Sequence, residues 1–91
     1  MKRKLTFSDE AWDDYLYWQE TDRSMLRRIN QLIKDVRRSP YEGIGKPEPL
    51  KHQLAGWWSR RIDGEHRFLY RVTEQAIEIS NLRNHYYAPV A

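Results

Sequence analysis

The chain has 91 residues, 16 Lys and Arg against 13 Asp and Glu for a formal charge of +3, and no cysteine. That length holds one small domain with a modest core, and the lack of cysteine excludes disulfides and thiolate zinc sites. No apolar run approaches the roughly 18 residues that span a bilayer, and MKRKLTF leads into SDEAWDD instead of an apolar signal core, so a cytoplasmic protein is the expectation.

Charge is unevenly placed. Through Asp22 there are three Lys/Arg and six Asp/Glu, a balance of −3; from Arg23 to Arg83 there are thirteen against seven, a balance of +6. Such polarity suits an anionic partner, and equally a solvated, salt-laced surface. Four tryptophans and six tyrosines exceed what so small a core needs, and exposed aromatics can stack on bases.

Lys4 to Phe7 reads as a strand with Leu5 and Phe7 on one face. Ser8 is placed to cap a helix whose first turn carries Asp9 and Glu10, where the helix dipole favours negative charge. Ala11, Tyr15 and Trp18 share one face of that helix, which should end near Glu20, and both Trp12 and Trp18 are expected in the core. Asp22 can cap a second helix in which Met25, Leu26, Ile29, Leu32, Ile33 and Val36 recur at three- and four-residue intervals, the clearest amphipathic stripe in the chain. Arg27, Arg28, Lys34, Arg37 and Arg38 occupy its other faces, and Pro40 stops it.

A loop from Tyr41 to Pro49 joins the helical half to a strand half. Leu50 to Leu54 is expected to be extended, and Trp57 to Ile62 forms a strand. Asp63-Gly64 marks a tight turn, and His66 to Val72 pairs back antiparallel. His66, Phe68, Tyr70 and Val72 then point one way, and Arg67, Leu69 and Arg71 the other. A last strand runs from Ala76 to about Asn84, its alternation blurring after Ser80. The order predicts an α+β fold with two N-terminal helices packed on one face of an antiparallel β-sheet, leaving the other face for function.

The chemistry concentrates between Gly43 and Arg67. Glu48 lies between Pro47 and Pro49, whose rings stiffen the backbone on both sides, and Lys46, Lys51, His52, Arg60, Arg61, His66 and Arg67 crowd the same segment. His52, His66 and His85 lack the paired spacing of a metal site. Ser59 and Ser80 sit in no nucleophile-elbow turn, and no glycine-rich loop offers a nucleotide cradle, so no cofactor is implied. RNA cleavage by its own 2′-hydroxyl fits better, because it needs only a base, an acid and a fixed cation. Glu48, His85 and Arg67 are the residue types for those roles. Each also has a plain alternative: a loop salt-bridge partner, a C-terminal polar residue and a sheet-surface cation. A non-catalytic RNA- or ribosome-binding module would use the same cations and aromatics.

The runs WDDYLYWQETD (Trp12 to Asp22), GKPEPLKH (Gly45 to His52), WSRRI (Trp58 to Ile62), EHR (Glu65 to Arg67) and the HY at His85 and Tyr86 resemble, in order, those of YoeB-type toxins of the RelE superfamily. The resemblance covers residues 4 to 86. It implies a RelE-like, microbial ribonuclease-like fold for a single domain over residues 1–86, with 87–91 as a short C-terminal extension. It also implies a toxin of a type II toxin–antitoxin system that cleaves mRNA in the ribosomal A site without a metal. By the same resemblance Glu48 is the base, Arg67 the phosphate-stabilising cation, His85 the acid and Tyr86 its support. Lys51, His52 and Arg61 fall at positions near phosphate or ribosomal RNA. The implied partners are mRNA and the ribosome, a YefM-type antitoxin and a possible second copy of the chain.

Overall fold

The computed structural model describes residues 3–84. Strand β1 (Lys4–Phe7) is followed by helices α1 (Asp9–Thr21) and α2 (Arg23–Arg38), then by β2 (Glu48–Pro49), a 3-10 turn at His52–Leu54, β3 (Trp58–Arg61), β4 (Arg67–Val72) and β5 (Ala76–Asn81). The five strands lie in the order β1-β5-β4-β3-β2. From β2 to β5 neighbours run antiparallel, as the turn signals predict, whereas β1 adds to β5 in parallel and makes the sheet mixed.

Both helices start on side-chain caps. Ser8 Oγ accepts from the Ala11 amide at 3.0 Å and donates to the Ser80 carbonyl at 2.6 Å, so one hydroxyl both opens α1 and ties it to β5. Asp22 ends α1 and caps α2, its Oδ1 accepting from the amides of Ser24 and Met25. The two helices therefore follow one another with a single residue between them, and their apolar faces meet the same side of the sheet. The core joins Ala11, Trp18, Met25, Ile29, Leu32 and Val36 of the helices to Ile62, Phe68, Tyr70, Ile77, Ile79 and Leu82 of the sheet side.

Three expectations are corrected. Trp18 is buried, but Trp12 is 46 % exposed. It lies one residue, hence about 100° of helix rotation, from the buried Ala11, and it stacks on Tyr15 with Phe7 edge-on to both rings. The segment Leu50–Leu54 is not extended: His52 has φ 59° and the 3-10 turn follows. Finally, β5 stops at Asn81, and its register against β4 slips just before that end. Tyr70 faces Ile79 but Leu69 faces Asn81, leaving Ser80 as the extra residue of a β-bulge. The bulge explains the blurred alternation. It turns Asn81 to the face away from the helices and lets Leu82 fall into the core.

Leu82 is also held by backbone clasps, its amide donating to Asp14 Oδ2 at 2.9 Å and its carbonyl accepting from Trp18 Nε1 at 3.0 Å. Burial of Asp14 raises its pKa above 3.8 despite that hydrogen bond.

Candidate active site

Loop 39–47 carries the chain from α2 to Glu48, and a buried arginine moulds it. Arg60 alternates with Trp58 and Ile62 on the core side of β3 and is 0 % exposed. Its Nη1 donates to Asp35 Oδ2 at 2.6 Å and to the Ile44 carbonyl at 3.1 Å. Its Nη2 reaches the carbonyls of Ser39 and Glu42 at 2.7 and 2.9 Å, and its Nε the Tyr70 hydroxyl at 3.2 Å. Tyr70 in turn donates to the Pro40 carbonyl at 2.7 Å. A guanidinium removed from water must fill its donors, and here the loop backbone fills most of them. Arg60 is thus a structural strut and leaves the set of cations available to a ligand.

Asp35 anchors the other end. Burial would raise its carboxyl, but hydrogen bonds from Arg60, the Ile44 amide and Arg38 outweigh burial and hold it below 3.8. The Tyr70 hydroxyl is pushed above 10.0 by burial, against the pull of Arg60. Sequence reasoning missed this strut. The signal for it was present: Asp35 sits three residues after Leu32 in the α2 stripe, and Arg60 sits between Trp58 and Ile62 in the strand alternation.

With the loop fixed, the Arg61 amide donates to the Gly45 carbonyl at 2.7 Å, and three residues later Glu48 pairs with Ser59. Residues directly opposite in a sheet share a face. The register Glu48↔Ser59 and Ser59↔Leu69, with Arg61↔Arg67 two residues along, puts Glu48, Arg61 and Arg67 together on the face away from the helices. Glu48 and Arg61 are exposed and Arg67 is half-buried. Among the described residues Glu48 forms no ion pair. Glu48, Lys51 and His52 also line one shallow pocket of about 320 Å³ with Pro49, Leu50 and Leu54. The fold therefore gathers five of the predicted site residues at the β2–β3–β4 side of the sheet. His85 and Tyr86 lie outside the described residues.

The turn before β4 aims Arg67. Asp63 Oδ1 accepts from the amides of Glu65 and His66 at 2.8 and 2.6 Å, and these bonds overcome burial to hold the Asp63 carboxyl below 3.8. Arg67 Nη1 donates to the Asp63 and His66 carbonyls at 2.9 and 3.2 Å, and among the described residues its Nε and Nη2 have no acceptor. The His66 and Trp18 rings meet at a steep angle with centroids 4.8 Å apart, and His66 Nδ1 accepts from the Asn84 amide at 2.7 Å. That contact makes His66 a packed residue tying β4 to the end of β5.

A carboxylate on the same face as two guanidinium groups, none of the three in an ion pair among the described residues, can take a proton from a substrate whose anionic part the arginines hold. Comparison with known proteins gives the family. Residues 7–86 match the family model of the YoeB-like toxin of bacterial type II toxin–antitoxin systems. The chain is 61 % identical over 83 residues to Toxin YoeB of Escherichia coli K12, covering 91 % of this chain and 99 % of that one. It superposes on the YoeB dimer from Staphylococcus aureus with a TM-score of 0.88 at 45 % identity, covering 94 % of this chain and 100 % of the other. On the YoeB of the YoeB–YefM complex from the same organism the TM-score is 0.85 at 44 % identity, with the same coverage. With four-fifths and more of its length aligned in each comparison, the chain belongs to the YoeB-like toxins of bacterial type II toxin–antitoxin systems.

Proposed function

We propose that the protein is a ribosome-dependent mRNA interferase, cleaving mRNA in the ribosomal A site by metal-independent acid–base chemistry. Glu48 takes the proton of a ribose 2′-hydroxyl, and that oxygen attacks the adjacent phosphorus. Arg67, with Arg61 opposite it, holds the charge that builds on the phosphate oxygens. The bond from phosphorus to the 5′-oxygen breaks, and His85, supported by Tyr86, gives that oxygen a proton. The products are a 2′,3′-cyclic phosphate and a 5′-hydroxyl. Lys51, His52 and the exposed Arg61 hold RNA backbone around the site.

The observation that carries this reading is Glu48, without an ion pair among the described residues, on the same face as the Arg61–Arg67 pair. A carboxylate repels phosphate, so it weakens a purely binding surface, whereas it serves a reaction that begins with proton abstraction. The complex from S. aureus pairs its YoeB with YefM, and the dimer from that organism pairs two YoeB chains. We extend both to this chain: a YefM-type antitoxin as its partner, and self-association. Among the described residues no helix is long and apolar enough to cross a membrane, and action on ribosomes places the protein in the cytoplasm.

The test is primer extension on an mRNA translated in a purified system. Wild type should give cuts in phase with codons and only with ribosomes present. Glu48→Gln should abolish them while ribosome binding changes much less. Equal losses of binding and cleavage would remove Glu48 as the base, and binding without any cuts by the wild type would favour a non-catalytic ribosome-binding module.

A further inference from the structure

Helix α1 and strand β4 converge on Leu82, Arg83 and Asn84, the three residues that lead into His85. The Leu82 amide and carbonyl are taken by Asp14 and Trp18 of α1, and the Arg83 guanidinium lies 3.6 Å over the Tyr17 ring of the same helix. From the other side β4 and the residue before it grip Asn84. Its amide donates to His66 Nδ1 at 2.7 Å, and its carbonyl accepts from the Arg67 amide at 2.9 Å. Asn84 makes both bonds at φ 61°, a left-handed conformation that asparagine tolerates better than most side chains. Every backbone polar group of Leu82 and Asn84 is therefore held, beyond the last pair of β5, at a cost in conformational entropy.

His66 is the side chain on which this clasp turns. A ring nitrogen that accepts an N–H carries no proton, so the hydrogen of the imidazole sits on Nε2. Trp18 sets the ring's orientation, for it packs against His66 and also holds the Leu82 carbonyl through Nε1. One tryptophan thus ties Leu82 to α1 directly and Asn84 to α1 through His66. The contact with Trp18 also places the His66 ring on the helix side of the sheet, away from the face of Glu48, Arg61 and Arg67, so any effect on the reaction is transmitted by Asn84. We propose that His66 is a positioning residue, acting through the Asn84 backbone to direct the chain into the acid His85.

This inference rests on the reading of His85 as the general acid. Such an acid works only within hydrogen-bond reach of the leaving oxygen, and a misplacement of about 1 Å costs on the order of a hundredfold in rate. Asn84 is exposed, so water can satisfy its amide when the His66 acceptor is removed. Loss of the acceptor therefore falls on the direction of the chain and little on stability.

The experiment crosses two variants. His66→Leu keeps apolar bulk against Trp18 and removes the acceptor, whereas His66→Asn gives up packing and puts an amide oxygen about where Nδ1 stood. Each is measured for Tm, ribosome binding and single-turnover cleavage of two mRNAs on ribosomes. One is the natural mRNA and the other carries sulfur as the bridging 5′-atom at the cut, so that the leaving thiolate needs no proton. His66→Leu should cut the natural mRNA about 10- to 100-fold more slowly with binding unchanged, and the sulfur mRNA at close to the wild-type rate. His66→Asn should keep most of the natural rate despite a lower Tm. An unimpaired His66→Leu, an equal deficit on both mRNAs, or rates that follow Tm across the two variants would overturn the proposal and leave His66 a packing residue. His85→Ala keeps the two readings apart: if sulfur does not rescue it, His85 is not the acid and the positioning role falls with it. A wild type that binds ribosomes and cuts neither mRNA removes the nuclease reading as a whole.

Discussion

Arg61 and Arg67 face each other directly across β3 and β4 on the side of the sheet that the helices leave bare. Among the described residues neither forms an ion pair with a carboxylate. Like charges opposite one another cost roughly 0.2–1 kcal/mol, and the cost is relieved when an anion sits between them.

Sulfate or phosphate should therefore stabilise the wild type more than chloride does at equal ionic strength. Such anions also stabilise proteins generally, so the comparison is with Arg61→Gln, which should have a Tm equal to or a few degrees above wild type in chloride and gain less from sulfate. The same variant should bind ribosomes more weakly, with a salt slope reduced by about one unit. An identical sulfate increment in both proteins would show that the pair holds no anion.

The Arg60–Asp35 strut makes a separate prediction about acid. Asp35 is held below 3.8 in the fold, so its contribution is fully present above the unfolded pKa and is lost as pH falls through the lower, folded value. Asp14 has the opposite sign: its carboxyl is held above 3.8, so protonation favours the fold. Comparing wild type with Asp35→Asn at each pH cancels the Asp14 effect. At pH 7 the variant leaves Arg60 buried without its counter-charge, a loss of about 3–5 kcal/mol, or more than about 10 °C in Tm. The gap between the two proteins should narrow as pH drops below 3.8. A gap that is constant down to pH 2 would mean that the Asp35 charge is not what Arg60 needs.

Tyr70→Phe isolates the third member of the strut. It removes one hydroxyl that accepts from Arg60 Nε and donates to the Pro40 carbonyl, and should cost about 1–3 kcal/mol. Because the strut shapes the loop leading to Glu48, cleavage should fall through kcat more than through ribosome affinity. A variant that loses stability but cleaves at the wild-type rate would limit the strut to folding.

The elements were legible in the sequence because local signals agreed. Ser8 and Asp22 are strong caps, the α2 stripe is regular, and Asp63-Gly64 closes a hairpin. What was not legible depended on contacts between distant residues. The parallel β1–β5 pairing joins strands about seventy residues apart. The Ser80 bulge is set by how β5 must meet both β4 and Ser8. Arg60 looked like one more surface cation because its partners are loop carbonyls that no side-chain pattern announces. Glu48, Lys51, His52, Arg61 and Arg67 were picked out from residue type and resemblance, and the register supplies what the sequence lacked, a common face for Glu48, Arg61 and Arg67.

Two glycines test the loop against the hairpin turn. Gly43 has φ +121°, a conformation that side chains resist, and a Cβ there would overlap Asp35 Oδ2 and lie 3.3 Å from Arg60 Nη1. Gly64, in the turn between β3 and β4, has no atom within 4 Å of where its Cβ would be. Gly43→Ala must therefore both strain the backbone and push apart a buried ion pair, and should cost roughly 2–5 kcal/mol. Gly64→Ala removes only unfolded-state freedom and should be neutral or stabilise by up to about 1 kcal/mol. Urea unfolding of the two variants measures both values with the fold as its own control. If Gly43→Ala came within about 1 kcal/mol of wild type, the loop would be able to lift off Asp35 cheaply, and the strut could not be what positions Glu48.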